Sequence, residues 1–191
     1  DNTLYPASCR LFDQIETGMT AWVMRELSVD ATEADRLRRH YWQTYGTTLS
    51  GLMAEHGMDP LDYLVDVHDI SFAALRPDPR LRAGIAALPG RRIVYTNGSA
   101  PYAQRVLEAR GLCGIFDAVY GVEHAGFHPK PRREAFETVF ARDGVVPGRA
   151  AMFEDDPRNL AAPHDMGMRT VLVAPERLAA PHIHHHTHDL A

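Results

Sequence analysis

The first part of the chain carries apolar residues at the spacing of an α-helix. From Phe12 to Leu27, apolar side chains recur every three or four positions, which places them on one face of a long helix. Shorter segments with the same spacing follow, and Gly46 and Pro60 stand where one of them ends and another begins. The pattern therefore predicts an all-helical segment, a small bundle, over residues 11–75.

Two details of this helical segment can also be predicted. Thr32 and Asp35 stand three positions apart, as in a capping box, and indicate the start of the second helix. Trp22 and Trp42 are large apolar side chains, and we expect both of them in the core of the bundle.

The pattern changes at Arg76-Pro77-Asp78-Pro79. Beyond this point, short apolar runs that are typical of buried strands alternate with helical segments. The predicted strands cover residues 92–96, 116–120, 150–153 and 170–173, and the predicted helices cover 81–88, 101–110, 132–142 and a segment near 160. Strands that alternate with helices imply right-handed crossovers and a parallel sheet with helices on both faces. We therefore expect an α/β core from residues 1–10 and 76–191, interrupted by a helical insertion over 11–75.

Polar residues that could take part in catalysis or ligand binding occur in four short stretches, several of them directly after predicted strands. In open parallel sheets, ligands bind beyond the carboxyl ends of the strands. Together the stretches supply an acid, a hydroxyl, an ammonium and a pair of carboxylates, which suits the handling of a phosphoryl group beside a divalent cation. They are Asp1-Asn2-Thr3-Leu4-Tyr5, Tyr95-Thr96-Asn97-Gly98, Pro129-Lys130-Pro131 and Phe153-Glu154-Asp155-Asp156.

Each stretch also has an ordinary structural interpretation. Asp156 precedes Pro157 and could simply cap the next helix, and Thr96 could be no more than a β-branched strand residue. Lys130 could lie on the surface, as lysines usually do. However, three consecutive carboxylates at one strand end repel each other unless a cation neutralises them, and Mg²⁺ binds through such groups together with substrate phosphate.

Composition and charge exclude several classes of protein. The 191 residues fit one moderate domain or a core with a smaller insertion, and the net charge of −5 contains no block of like charge that would indicate a nucleic-acid partner. No apolar run approaches the ~20 residues needed to cross a bilayer. Cys9 and Cys113 form neither a metal-ligand spacing nor a disulfide framework, so we expect a cytoplasmic protein. The His-rich segment 181–188 is only compositional evidence for metal binding.

The four stretches, in this order, resemble the haloacid dehalogenase (HAD) superfamily of hydrolases. Within it, the chain is similar to the pyrimidine 5′-nucleotidase subfamily through Asp1–Pro6, Val67–Ile70 and Asp155–Leu160. The resemblance covers essentially the whole chain. It implies the HAD fold, a Rossmann-like parallel sheet, with residues 11–75 as the small helical cap of the family.

The resemblance also implies catalytic roles. Family phosphatases use an Asp-x-Asp pair in which the first Asp attacks phosphorus and the second is the general acid and base. Asp1 matches the second Asp, so the nucleophile and the central first strand that carries it would lie upstream of this sequence. Thr96 and Lys130 would be the further catalytic residues, and dehalogenating members lack the second Asp.

The same resemblance implies a substrate site and a metal site. Thr96, Asn97, Gly98 and Lys130 would hold the phosphoryl oxygens. Mg²⁺ would be bound by the upstream Asp, by the backbone carbonyl of Asp1 and by Asp156, with assistance from Asp155.

We therefore expect a Mg²⁺-dependent phosphomonoesterase that works through an aspartyl-phosphate and acts on nucleoside monophosphates such as UMP or CMP. Its partner would be a small phosphorylated substrate, with no nucleic-acid polymer and no membrane involved. One alternative is a phosphatase for a sugar phosphate or another small phosphomonoester. A second is a non-catalytic binding module of the same fold, if the upstream nucleophile is absent.

Overall fold

The computed structural model describes residues 2–190. The chain divides into two compact units, one formed by Asp1–Ala7 with Leu75–Ala191 and the other by Ser8–Ala74. We call them the core unit and the helical unit. The insertion predicted over residues 11–75 begins three residues later and ends one residue later than the helical unit.

The helical unit contains four α-helices. They are α1 (Leu11–Leu27), α2 (Ala31–Tyr45), α3 (Thr48–His56) and α4 (Pro60–Val67), with a 3₁₀ turn at Ala7–Cys9 before them. The start of α2 differs from the predicted capping box at Thr32: the N-cap is Asp30, whose side chain accepts a hydrogen bond from the N–H of Glu33 at 2.9 Å. Asp is as good an N-cap as Thr, and Asp30 also has a glutamate three positions later.

The two tryptophans of the helical unit have opposite environments. Trp22 is 4% exposed and packs edge-on against Tyr63, with ring centroids 5.1 Å apart, as predicted. Trp42 is 54% exposed, so its predicted place in the core is wrong. Successive helix residues point about 100° apart, and the inward position on this turn of α2 belongs to Tyr41, which is fully buried.

The core unit alternates strands and helices, as predicted. Its helices are α5 (Pro79–Ala87), α6 (Ala100–Ala109), α7 (Arg133–Asp143) and α8 (Arg158–Asp165), and its strands are β1 (Ile93–Tyr95), β2 (Ala118–Tyr120), β3 (Ala151–Glu154), β4 (Arg169–Val173) and β5 (His185–Thr187). Two 3₁₀ turns, Val122–Ala125 and Pro147–Arg149, lie between them. None of the helices in the described range is both long and apolar enough to cross a bilayer.

All strand pairs within the described residues are parallel, and they form two sheets. One sheet pairs β1 with β2, and the other has the order β3-β4-β5. No backbone pairing joins β1 to β3 within residues 2–190. The central first strand that we expect upstream of Asp1 lies outside this sequence and stays a prediction.

Strand β5 was not predicted, because its sequence is His-rich and not apolar. It extends the second sheet by pairing with β4, with His185 beside Val171 and Thr187 beside Val173. The described residues contain no group of three or more His, Cys, Asp or Glu side chains placed to hold a metal ion. The His-rich segment therefore contributes a strand to the sheet.

Helix α7 packs against strands from both sheets. Phe136, Val139 and Phe140 of this helix are buried, and Tyr95 of β1 and Met152 of β3 pack against the same cluster. Burial of several large apolar side chains in one cluster contributes roughly 1.5–3 kcal/mol per side chain. β1 and β3 thus pack against the same apolar cluster on α7.

Candidate active site

The predicted site residues of the described chain meet at the carboxyl ends of β1 and β3. The Nζ atom of Lys130 lies 2.6 Å from Oε2 of Glu154 and 3.2 Å from the carbonyl oxygen of Tyr95. On the other side of Glu154, the hydroxyl of Thr3 donates to Oδ1 of Asp155 at 2.7 Å. All four stretches singled out in the sequence are therefore joined through these contacts, although Asp1 itself lies outside the described residues.

Lys130 is the only lysine in the chain, and it is buried. The residue is 7% exposed, and its ammonium lies 5.2 Å from the centre of the Tyr95 ring. A surface position, the ordinary interpretation of a lysine, is therefore wrong here. Burial of an ammonium is costly unless it is paired and hydrogen-bonded, and both conditions are met by Glu154 and the Tyr95 carbonyl.

The Glu154 carboxylate is kept ionised by Lys130. Burial alone would raise the pKa of this carboxyl group, but the ammonium at 2.6 Å outweighs burial and holds the pKa below its ordinary value. From the sequence, we expected Glu154 to be one of three mutually repelling charges. The structure shows that a protein cation already compensates this one, which leaves two carboxylates for other partners.

Asp155 has a different electrostatic environment. Its burial, together with the neighbouring Glu154 carboxylate, raises the pKa of Asp155 to about 6. The Thr3 hydroxyl donates to it and partly offsets this effect. A partly buried carboxylate beside another carboxylate is a group that a cation would stabilise.

Asp156 already has a protein cation beside it. Its Oδ1 accepts the backbone N–H of Arg158 at 2.9 Å, and its Oδ2 lies 2.6 Å from the Arg158 guanidinium. The side chain is 28% exposed at the start of α8. Asp156 therefore accepts a backbone N–H at the start of α8, in line with the structural role considered from the sequence. Its role as a metal ligand stays a prediction.

In the turn after β1, polar groups of Thr96, Asn97 and Gly98 form hydrogen bonds with other groups of the protein. Thr96 is buried, and its Oγ1 accepts the N–H of Gly98 at 3.0 Å. We predicted that the N–H of Gly98 would meet a phosphoryl oxygen, whereas here it is donated to the threonine hydroxyl. The Asn97 side chain contacts the backbone of Lys130.

Glu123 and Gly121 support the same turn and were missed by the sequence analysis. Oε1 of Glu123 accepts the N–H of Ala100, the first residue of α6, at 2.8 Å. A Cβ atom on Gly121 would lie 2.3 Å from the backbone nitrogen of Ala100, so only glycine allows this approach. The sequence feature that could have indicated these two residues is the Gly-x-Glu segment directly after β2, whose carboxylate lies beside the start of α6.

The described residues do not by themselves form a metal site. No group of three or more candidate ligands is present between residues 2 and 190. The side chain best placed to contribute is Asp155, whose carboxylate oxygens are the donors that hard cations such as Mg²⁺ prefer. The predicted contribution of Asp1 lies outside the described residues. The donor chemistry thus fits Mg²⁺, with the remaining ligands still to be supplied.

Comparison with known proteins relates the chain to one family. The model of the family described as haloacid dehalogenase-like hydrolase matches residues 1–167. Phosphate metabolism protein 8 of Saccharomyces cerevisiae is 28% identical over 188 residues, covering 90% of this chain and 59% of the yeast protein. The chain thus spans somewhat over half of that relative's length.

Solved structures share the fold. The HAD phosphatase of Thermococcus onnurineus has a TM-score of 0.63 at 16% identity and covers all of this chain and 91% of its own. The HAD-hydrolase YfnB of Bacillus subtilis, bound to magnesium, has a TM-score of 0.57 at 16% identity, over 94% of this chain and 89% of its own. At such identities the likeness establishes the architecture alone.

Proposed function

Because the chain belongs to the haloacid dehalogenase-like hydrolases, we propose that it hydrolyses phosphate monoesters through an aspartyl-phosphate intermediate. The observation that carries the proposal is the placement of the chain's only lysine. Its ammonium is buried at the strand ends, between the Thr96 turn and the acidic stretch that follows β3. A fixed, desolvated positive charge at this point suits the stabilisation of a transferring phosphoryl group.

The proposed reaction has two steps. In the first, a carboxylate upstream of this sequence attacks phosphorus, the ester P–O bond breaks, and Asp1 gives its proton to the leaving oxygen. In the second, Asp1 takes a proton from water, the water oxygen attacks phosphorus, and the acyl phosphate bond breaks to release inorganic phosphate. Lys130 and Thr96 hold the phosphoryl oxygens through both steps, with the backbone of Asn97 and Gly98 beside them.

Mg²⁺ is the proposed cofactor. Asp155, Asp156 and Asp1 are the candidate ligands within this sequence, and the environment of Asp155 favours it among the described ones. When bound, the ion would neutralise charge on the phosphate and on the carboxylates around it. The magnesium in the Bacillus subtilis structure supports the proposal by analogy of fold.

The proposed substrate is a small phosphomonoester, and a pyrimidine nucleoside monophosphate such as UMP or CMP is our first choice. This choice rests on the subfamily resemblance of Asp1–Pro6, Val67–Ile70 and Asp155–Leu160. A sugar phosphate is the alternative substrate. In both cases the helical unit is the proposed source of substrate selectivity, and the cytoplasm is the proposed location.

The test is a phosphate-release screen on the complete native protein. UMP, CMP, AMP and glucose 6-phosphate are compared with Mg²⁺ and with excess chelator, and Lys130→Ala is measured in parallel. We expect Mg²⁺-dependent release that is fastest with the pyrimidine nucleotides and is lost in the variant. Release from no phosphomonoester under any metal condition would favour the non-catalytic binding module, and preference for glucose 6-phosphate would favour the sugar phosphatase.

A further inference from the structure

The side chain of Asn97 and the backbone of Lys130 form a reciprocal pair of hydrogen bonds. The Asn97 Nδ2 atom donates to the carbonyl oxygen of Lys130 at 3.0 Å, and the N–H of Lys130 donates to Oδ1 of Asn97 at 2.7 Å. A carboxamide presents one donor and one acceptor side by side, which matches the donor and acceptor of a single residue's backbone. Both ends of this amide are therefore directed at Lys130.

The sequence around Lys130 makes such a partner necessary. Pro129 and Pro131 have no backbone N–H, so Lys130 supplies the only amide donor of this three-residue segment. Lys130 is buried, and buried backbone N–H and C=O groups are costly when they lack a partner. The segment belongs to no strand, so no neighbouring strand provides those bonds, and the carboxamide of Asn97 takes that place.

The pair also links two catalytic loops. Asn97 directly follows Thr96, while the ammonium of Lys130 bonds the carbonyl of Tyr95, which precedes Thr96. Two residues that flank Thr96 therefore hold Lys130: Asn97 bonds its backbone, and the carbonyl of Tyr95 bonds its ammonium. This arrangement fixes the distance between the Thr96 hydroxyl and the Lys130 ammonium.

We propose that Asn97 is a positioning residue for Lys130 and that its side chain does not contact the substrate. The inference rests on the proposed phosphatase function for its kinetic consequence, whereas the pairing itself is independent of any activity. It also refines the substrate-binding role expected for Asn97 from the sequence, because the carboxamide is already engaged by protein groups.

The pairing is directly measurable, because Lys130 is the only lysine within residues 1–191. In the complete protein with selective ¹⁵N-lysine labelling, the backbone amide signal that disappears in Lys130→Arg is that of Lys130, and its hydrogen exchange reports on its bond to Asn97. Asn97→Ala removes both hydrogen bonds, and Asn97→Asp keeps an acceptor for the Lys130 N–H while removing the donor to its carbonyl. Thr138→Ala, at an exposed position of α7, serves as the control.

We expect Asn97→Ala to lower kcat by about 10- to 100-fold, because displacement of a catalytic group by about 1 Å can cost that much. KM and the inhibition constant of inorganic phosphate should change by a smaller factor than kcat does, since Asn97 itself makes no contact with the substrate. The Lys130 amide should exchange at least about tenfold faster. Asn97→Asp should lower kcat while the amide stays protected, which keeps the test valid if the alanine variant folds poorly.

Three outcomes would overturn the proposal. A kcat within about twofold of the wild-type value in both variants removes the positioning role. An increased KM and phosphate inhibition constant with an unchanged Lys130 amide shows that Asn97 contacts the substrate instead. Unchanged exchange in Asn97→Ala removes the pairing itself. If the wild-type protein hydrolyses nothing, the phosphatase proposal fails, and the exchange measurement still decides whether Asn97 holds Lys130.

Discussion

The ammonium of Lys130 and the carboxylate of Glu154 lie 2.6 Å apart, and both side chains are 5% exposed. An ammonium has three N–H donors, and Glu154 and the carbonyl of Tyr95 receive two of them. The third donor suits one phosphoryl oxygen. The pair therefore fixes where the positive charge stands and limits how many ligand oxygens it can bind.

Loss of one partner of this pair should be more damaging than loss of both. Glu154→Gln leaves the Lys130 ammonium buried beside a neutral amide, and we expect the free energy of unfolding to fall by about 3–5 kcal/mol. Adding Lys130→Met to Glu154→Gln should restore part of that loss. Urea unfolding of the wild type, both single variants and the double variant measures the coupling energy. Strictly additive effects would mean that the two groups do not depend on each other.

Replacement of Lys130 by arginine should abolish most of the activity although the charge is kept. A guanidinium is longer, planar and shaped as a fork, and the buried site accommodates a compact ammonium. We expect kcat/KM to fall by at least about 10²-fold, the usual scale for loss of one electrostatic stabiliser. Arg133→Lys, an exposed exchange on α7, is the matched control and should retain full activity. Wild-type rates in Lys130→Arg would show that the site does not require a compact ammonium.

Asp155 and Asp156 should respond differently to removal, although they are adjacent. Asp156 is held by Arg158, whereas Asp155 has a raised pKa and the Thr3 hydroxyl as its neighbour. We expect Asp155→Asn to raise the Mg²⁺ concentration for half-maximal activity more than Asp156→Asn does. Titration of phosphatase activity with Mg²⁺ measures both. A larger effect at Asp156 would show that Arg158 releases this carboxylate when the metal binds.

The buried carboxylate of Asp143 should make stability depend on pH. Hydrogen bonding by Arg91 lowers the pKa of Asp143, whose side chain is 1% exposed and also accepts the Tyr120 hydroxyl at 2.8 Å. A lowered folded-state pKa contributes stability that is present above the unfolded-state value of about 4 and is lost as pH falls through the folded-state value.

We therefore expect Asp143→Asn to lower the free energy of unfolding at pH 7 by about 1–3 kcal/mol, and the difference from wild type to shrink below about pH 4. The expected loss of free energy of unfolding is small because Arg91 is 51% exposed and its charge is screened by solvent. Urea unfolding between pH 3 and pH 7 provides the measurement, with the exposed Asp165→Asn as control. A difference that does not vary with pH would remove the electrostatic explanation.

Gly121 should not tolerate a methyl group. The Cβ of alanine would lie 2.3 Å from the backbone nitrogen of Ala100, so the backbone must move and the start of α6 with it. We expect Gly121→Ala to cost about 1–3 kcal/mol of stability and to reduce activity through the adjacent Thr96 turn. Gly148→Ala, where nothing lies within 4 Å, should be nearly neutral in thermal unfolding and activity assays. Equal effects at the two positions would contradict this steric argument.

The sequence was sufficient for features that depend on local patterns. Alternation of strands and helices followed from apolar periodicity, and Lys130 was singled out because it stands between two prolines. Trp42 shows where periodicity fails: it adjoins the inward-facing Tyr41, and a shift of one residue moves a side chain by about 100° around the helix. The sequence of β5 is His-rich and lacks the apolar residues by which strands are predicted. It forms a strand through backbone pairing with β4, which the apolar pattern does not report.

The contacts that organise the candidate site were less accessible to sequence reasoning. Asn97 and Lys130 are 33 positions apart, and nothing local to either residue specifies the other. Lys130 and Glu154 are separated by 24 positions, so their charge compensation depends on the fold that brings the two strand ends together. By contrast, the ion pair of Asp156 with Arg158 and the hydrogen bond of Gly98 to Thr96 each join residues two positions apart, within reach of a local argument.

The burial of a single lysine also gives the protein an internal reporter of opening. Within residues 1–191 it is the only side chain with an ε-amine, so an acylating reagent has one side-chain amine to modify. Because that amine is buried and ion-paired, modification requires the loop or the whole core to open first. When reclosing is fast, the rate of acylation follows the population of the open form. Mass spectrometry of acylated protein would then give the opening free energy at the candidate site without any engineered probe.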